Sequence, residues 1–392
     1  MTVPNFTLYN ALLYLAFFNK FMEGEFIRMY IYDTNQSFDE DRIRNLLKQP
    51  EDFSKYEFTA PAPEELPTFN LPQVFNLGEG EIKIREKTIK TKQQVAIYSI
   101  GSFSIRIRIP FENVDEHLLE SLSFDKEVEK QLNQIAEKAK KKVEGALAKL
   151  YSGGVKISNI SELYYFCYLN MSKQEGLKNY KNLIAGILID EPKAESLDTE
   201  YLNYTLSKNI SYGNDDVLYV GWEATVLIDK SRAYDYELIL AEIANVQLLK
   251  FRIYKDKVST LIQKTTTEVN EIGRMSFLAR LLSNRAERLN TTFSEFENEM
   301  TYMLNWAENT VFSMGEWYLS RLYGLFASSF RLGELKDSLT RDASTLSTRK
   351  ELVIEQLREK DNDILEFIII LLIAIELLIE LVQIFVISRL GH

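Results

Sequence analysis

The hydrophobic positions of this chain change period near residue 233. Before that point they come in short, partly alternating runs. After it they recur three and four apart over long stretches without a breaker. EFIRMYIYD (25–33) alternates as a strand should, and SFDEDRIRNLLKQ behind it offers Ser37 or Asp39 to cap a helix. Residues 50–72 hold five of the eight prolines and read as a loop or linker. QVAIYSIGSFSIRIRIP (94–110) predicts two strands broken at Gly101. In the second, Ile105, Ile107 and Ile109 alternate with Ser104, Arg106 and Arg108. Helices are predicted from Asn113 to about Leu122 and from Asp125 to Leu150. Val128, Leu132, Ile135, Ala139 and Val143 recur at helical spacing around the basic cluster Lys138–Lys142, which reads as a solvated helix face. LYYFCYL, NLIAGILID and VLYVGWEATVLID, all between 155 and 230, read as strands. The first apolar run, 6–18, is too short to span a membrane and is expected to be a buried helix or strand.

From Tyr234, the positions Tyr236, Ile239, Ile243, Val246, Ile253 and Leu261 mark a long helix, and more helix is predicted through Phe330. Leu332, Leu339, Leu346 and Val353 lie seven apart and predict a coiled-coil seam, although Asp342, Arg349 and Gln356 occupy its alternate positions. The fold class expected is α+β: a mixed α/β N-terminal body, a long helical hairpin or coiled-coil region, and a single C-terminal transmembrane helix. The expected division is 1–115, 116–232, 233–362 and 363–388.

The transmembrane expectation rests on Phe367 to Ile387, FIIILLIAIELLIELVQIFVI, which has no Lys, Arg, Gly or Pro. As a helix it is about 31 Å long, against a hydrocarbon core of about 30 Å. With only Ser388–His392 following, it reads as a tail anchor. Glu366, Glu376, Glu380 and Gln383 fall on one stripe of that helix with Ile369, Ile373 and Ile387. A carboxylate at mid-bilayer costs about 2.5 kcal/mol or more, so the stripe is expected to face protein, as an assembly seam or an ion path. One continuous helix would carry the heptad face into this stripe. Arg349, Lys350, Arg358 and Lys360 precede the span and Arg389 follows it, which places the body in the cytoplasm and the short C-terminus on the far side. No secretory signal is evident, nor an Arg- and Ser-rich leader.

A net charge of −11 argues against nucleic acid as the main partner. The single cysteine, Cys167, reads as a small buried hydrophobe, and His117 as an exposed helix position. There is no Walker loop, no G-x-S-x-G elbow and no H-E-x-x-H. Asp215 and Asp216 read as part of a turn, and Trp222 and Glu223 as packing and surface. No catalytic, cofactor or metal residue is therefore expected.

LEFIIILLIAIELLIEL (365–381) resembles the closing signature of the required-for-meiotic-nuclear-division (Rmd-type) proteins. IYSIGSFSIRIRIPFENVDEHLLESL (97–122) and ILAEIANVQLLKFRIYKDKV (239–258) resemble two further parts of that family. The resemblance implies an α+β body, a helical bundle, a C-terminal anchor and self-association, with no catalytic residue carried over. Two function classes follow. The first is a non-enzymatic, membrane-tethered, homo-oligomeric scaffold or adaptor presenting its α+β domain to a cytoplasmic protein partner. The second is an ion-conducting oligomer of general CorA-like style, with Glu376 and Glu380 lining a pore, although the two spans and the Gly-Met-Asn loop of that type are missing.

Overall fold

Among the described residues, nine strands form one sheet in the order β2-β3-β4-β5-β1-β6-β9-β8-β7. They are β1 (Met22–Asp33), β2 (Ser54–Lys55), β3 (Gln73–Ile84), β4 (Lys87–Ile97), β5 (Ser102–Val114), β6 (Ser161–Leu169), β7 (Asn209–Ile210), β8 (Val217–Val220) and β9 (Ala224–Ile228). The computed structural model describes residues 21–48, 53–56, 71–151, 154–231, 233–274, 285–312 and 317–390. The apolar run 6–18 and most of the proline-rich stretch 50–72 lie outside these residues. Every strand pairing is antiparallel except β6 with β9. Strand β1 pairs with β5 on one side and β6 on the other. The sheet thus joins the two stretches, before and after residue 115, that the sequence reads as separate units. Among the described residues both edge strands are only two residues long, one way of blunting an edge against further pairing.

The strands expected at 25–33, on either side of Gly101, in LYYFCYL and in VLYVGWEATVLID are present. Gly101 has φ +90°, and a Cβ there would lie 1.5 Å from the Gln36 carbonyl oxygen, so only glycine closes the β4–β5 turn. The short helix α1 (Glu40–Arg44) follows β1 and is capped by the Asp39 side chain on the Arg42 amide at 2.9 Å. Helices α2 (Glu116–Phe124) and α3 (Lys126–Leu150) are capped by Asp115 and Asp125. The Asp115 cap moves the start of α2 past the expected Asn113.

NLIAGILID is a helix, not the strand the sequence suggests. Helices α4 (Lys173–Asn179), α5 (Lys181–Ile189) and α6 (Thr199–Ser207) fill the connection between β6 and the β7–β9 strands. A strand returning parallel to β6 requires a long crossover, and helices are its usual content. A short apolar run satisfies either period, so topology decides this one.

One face of the sheet packs Phe26 and Tyr30 of β1 and Ile105, Ile107 and Ile109 of β5 against Leu119, Leu132, Val143 and Ile184 of α2, α3 and α5. The opposite face carries Arg106, Arg108, Tyr164 and Phe166 and is covered by the first half of α7 (Asp235–Arg274). Residues 238–251 of α7 are all buried. A helix buried all round sits between layers; here Gln247 hydrogen-bonds Tyr323 of α9 (Trp317–Ser329) and, at 3.4 Å, the Ala307 carbonyl of α8 (Arg285–Phe312).

The chain forms two compact units: Met1–Ile253 with Met303–Lys336, and Tyr254–Tyr302 with Asp337–His392. The second is helical. Its parts of α7, α8 and α10 (Leu332–Leu390) are joined by the Tyr254–Phe296 ring pair at 5.9 Å and by Lys257–Glu299, Lys350–Glu297 and Lys255–Asp342 ion pairs at 3.2, 3.2 and 3.8 Å. The helix expected to run continuously from the heptads into the apolar segment is α10. Among the described residues, no helix is long and apolar enough to cross a membrane.

Candidate functional site

The polar positions of β5 meet carboxylates rather than water. Arg106 donates to Glu242 of α7 through Nε at 3.0 Å and Nη2 at 2.6 Å, and the Tyr98 hydroxyl donates to the same carboxylate at 2.5 Å. The Arg106 and Glu242 side chains are 1% and 0% exposed. Burial disfavours the Arg106 charge, but the Glu242 carboxylate outweighs it and leaves the pKa above the ordinary arginine range. Burial first, and Glu242 second, push the Tyr98 hydroxyl well above its usual value. Further along the sheet, Lys250 pairs with Asp33, which also accepts from Ser102 at 2.9 Å.

The seam continues at Arg108. Its Nε and Nη2 reach the two oxygens of Glu25 at 3.1 and 2.6 Å, a bidentate fork. The remaining donors go to the Tyr234 hydroxyl at 3.1 Å, the Tyr56 hydroxyl at 3.1 Å and Gln94 Oε1 at 3.5 Å. All five guanidinium N–H groups are therefore used. Tyr234 also donates to Glu25 and stacks on Tyr168 at 4.6 Å. Tyr56 donates to Asp235 at 2.9 Å. Burial raises the pKa of both tyrosines.

This end of the seam is open. Arg108 and Glu25 line a hollow of about 730 Å³ with Ser54, Lys55, Tyr56, Asn76, Gly78, Glu79, Lys92, Gln93 and Gln94. They also line a smaller one of about 290 Å³ with Tyr168, Asn170 and Tyr234 among its walls. Arg106–Glu242 and Lys250–Asp33 are sealed in and can serve orientation of α7 on the sheet. Arg108–Glu25 is the one seam pair that borders these two hollows, so the candidate site lies there.

The residues singled out from the sequence lie elsewhere. Glu366, Glu376 and Glu380 are exposed on α10, and the side chain of Gln383 lies outside the described residues. Leu332, Leu339 and Leu346 are buried within the chain, while Val353 is likewise outside the described side chains. Cys167 is buried, and burial pushes its thiol well up. His117 is exposed, 3.1 Å from Glu120. Asp216 accepts from the Tyr212 amide at 2.7 Å and from Gly213, closing the expected turn. On the basic face of α3, Lys138 and Lys141 are exposed, while Lys140 lies over the Tyr32 ring and Lys142 donates to the Leu77 carbonyl at 3.1 Å. Among the described residues no group of His, Cys, Asp or Glu could hold a metal ion.

Sequence reasoning missed the seam. A signal was available: in ELILAEIANVQLLK the polar Glu242, Asn245, Gln247 and Lys250 do not share one helix face, as they would on a helix with a wet side.

An α+β protein built on one mixed nine-stranded sheet, with a helix locked to it by buried ion pairs, is the class these observations define. Residues 23–235 match the family described as "Uncharacterized protein MJ0711, N-terminal domain", and the chain belongs to that family. The "Uncharacterized protein MJ0711" of Methanocaldococcus jannaschii is 22% identical over 221 residues, covering 56% of this chain and 65% of that protein. No solved structure matches. The match overturns the resemblance to the Rmd-type family, whose most specific part was the apolar segment 365–381. Aliphatic segments resemble one another through composition alone, whereas the family match runs through the whole sheet. It includes Glu25, Tyr56, Arg108 and Tyr234 and stops before Glu242.

Proposed function

We propose that this protein is a non-enzymatic, membrane-anchored scaffold or adaptor that holds its sheet domain at a membrane surface and self-associates. The observation that carries this reading is the exposure of α10 between Leu365 and Ile379. Nine Leu and Ile side chains there are about half exposed or more, Ile370 at 63% and Leu372 at 59%. Consecutive residues Ile369 to Ile373 occupy the whole circumference of the helix, because each residue turns it by about 100°. An apolar stripe would dock on one neighbour; an apolar cylinder needs an apolar surrounding on all sides.

The magnitudes are close. Removing nine half-exposed aliphatics from water is worth roughly 7–13 kcal/mol. Placing Glu376 and Glu380 in hydrocarbon costs roughly 5–7 kcal/mol on the insertion scale. The margin is small, so turning both carboxylates toward a second copy matters to the balance, and that is why self-association belongs to the proposal. The proposed span, 367–387, includes Phe367, Leu378 and residues 381–387, whose side chains lie outside the described residues. The lysines and arginines at 349–360 put the sheet domain on the positive-inside face.

Light scattering of the detergent-solubilised full chain, beside Glu376→Leu/Glu380→Leu, tests the assembly. A defined oligomer that dissociates in the variant is expected. A monomer in both removes the scaffold reading, and an oligomer unchanged by the variant removes the role of the stripe.

A further inference from the structure

We draw no further inference here: the strongest candidate, the hollow of about 290 Å³ that Glu23, Glu112, Tyr168 and Tyr234 line beside the Arg108–Glu25 pair, belongs to the site already described and brings to it only a cluster of acidic side chains, with nothing among the described residues that points to a ligand.

Discussion

Glu242→Gln is the sharpest perturbation of the buried seam. The carboxylate takes two hydrogen bonds from Arg106 and one from Tyr98 with no exposed surface. The amide keeps the shape but leaves the Arg106 charge buried without a counterion, which costs about 3–5 kcal/mol. Replacing the pair together, Arg106→Met/Glu242→Leu, removes both charges. That leaves the Tyr98 hydroxyl without a partner, at about 1–3 kcal/mol; adding Tyr98→Phe removes it too. The triple variant should therefore come within about 1 kcal/mol of wild type, or exceed it, because buried pairs exchanged for packed apolar groups are often neutral or stabilising. All three tryptophans, Trp222, Trp306 and Trp317, lie in the sheet-bearing unit, so their fluorescence during urea unfolding reports that unit. With a slope of about 2–3 kcal/mol/M, Glu242→Gln should lower the midpoint by roughly 1–2 M. A loss under about 1 kcal/mol for the single variant, or a triple variant as unstable as the sum of its parts, would refute the reasoning that the seam is dry and mutually compensated.

Gly101→Ala should cost more than about 2 kcal/mol in the same assay, from the positive φ and the Gln36 carbonyl. Stability should fall as pH rises above about 9. Burial, with Glu137 adding to it for Tyr32, pushes Tyr32 up to about 12, and burial pushes Tyr165 and Tyr323 up to about 12 as well. The unfolded chain releases these protons near pH 10, before the folded one does, so the folded form holds more protons and loses stability between those values. A urea midpoint constant from pH 8 to 11 would contradict this. Cys167 should resist thiol reagents at pH 8 in the folded chain and react at once in urea; rapid labelling without denaturant would count against its burial. With that background silent, Ile373→Cys should form an inter-chain disulfide in the membrane and Leu346→Cys should not, since Leu346 is already buried within one chain.

Much of the fold is legible in the sequence because it is local. Strand β1, the Gly101 turn with its flanking strands, and the capped helices α2 and α3 each follow from a few neighbouring residues. What escaped depends on distant partners. The alternation of Ile105, Ile107 and Ile109 with Arg106 and Arg108 describes a strand with one wet face, yet both faces are covered, because α7 brings Glu242 to Arg106 from 136 residues away. NLIAGILID is apolar enough for either period, and only the parallel pairing of β6 with β9 makes it a crossover helix. The candidate site could not be read at all from local pattern. Glu25, Tyr56, Arg108 and Tyr234 come from four separate segments whose meeting is a matter of strand order.

Alkaline carbonate extraction of membranes from cells expressing the full chain tests membrane anchoring most directly, beside Leu371→Lys/Ile375→Lys on the helix side away from Glu376 and Glu380. The full chain is predicted to stay with the membrane pellet at alkaline pH and the double-lysine variant to shift into the supernatant. Release of the full chain itself into the supernatant would contradict the account.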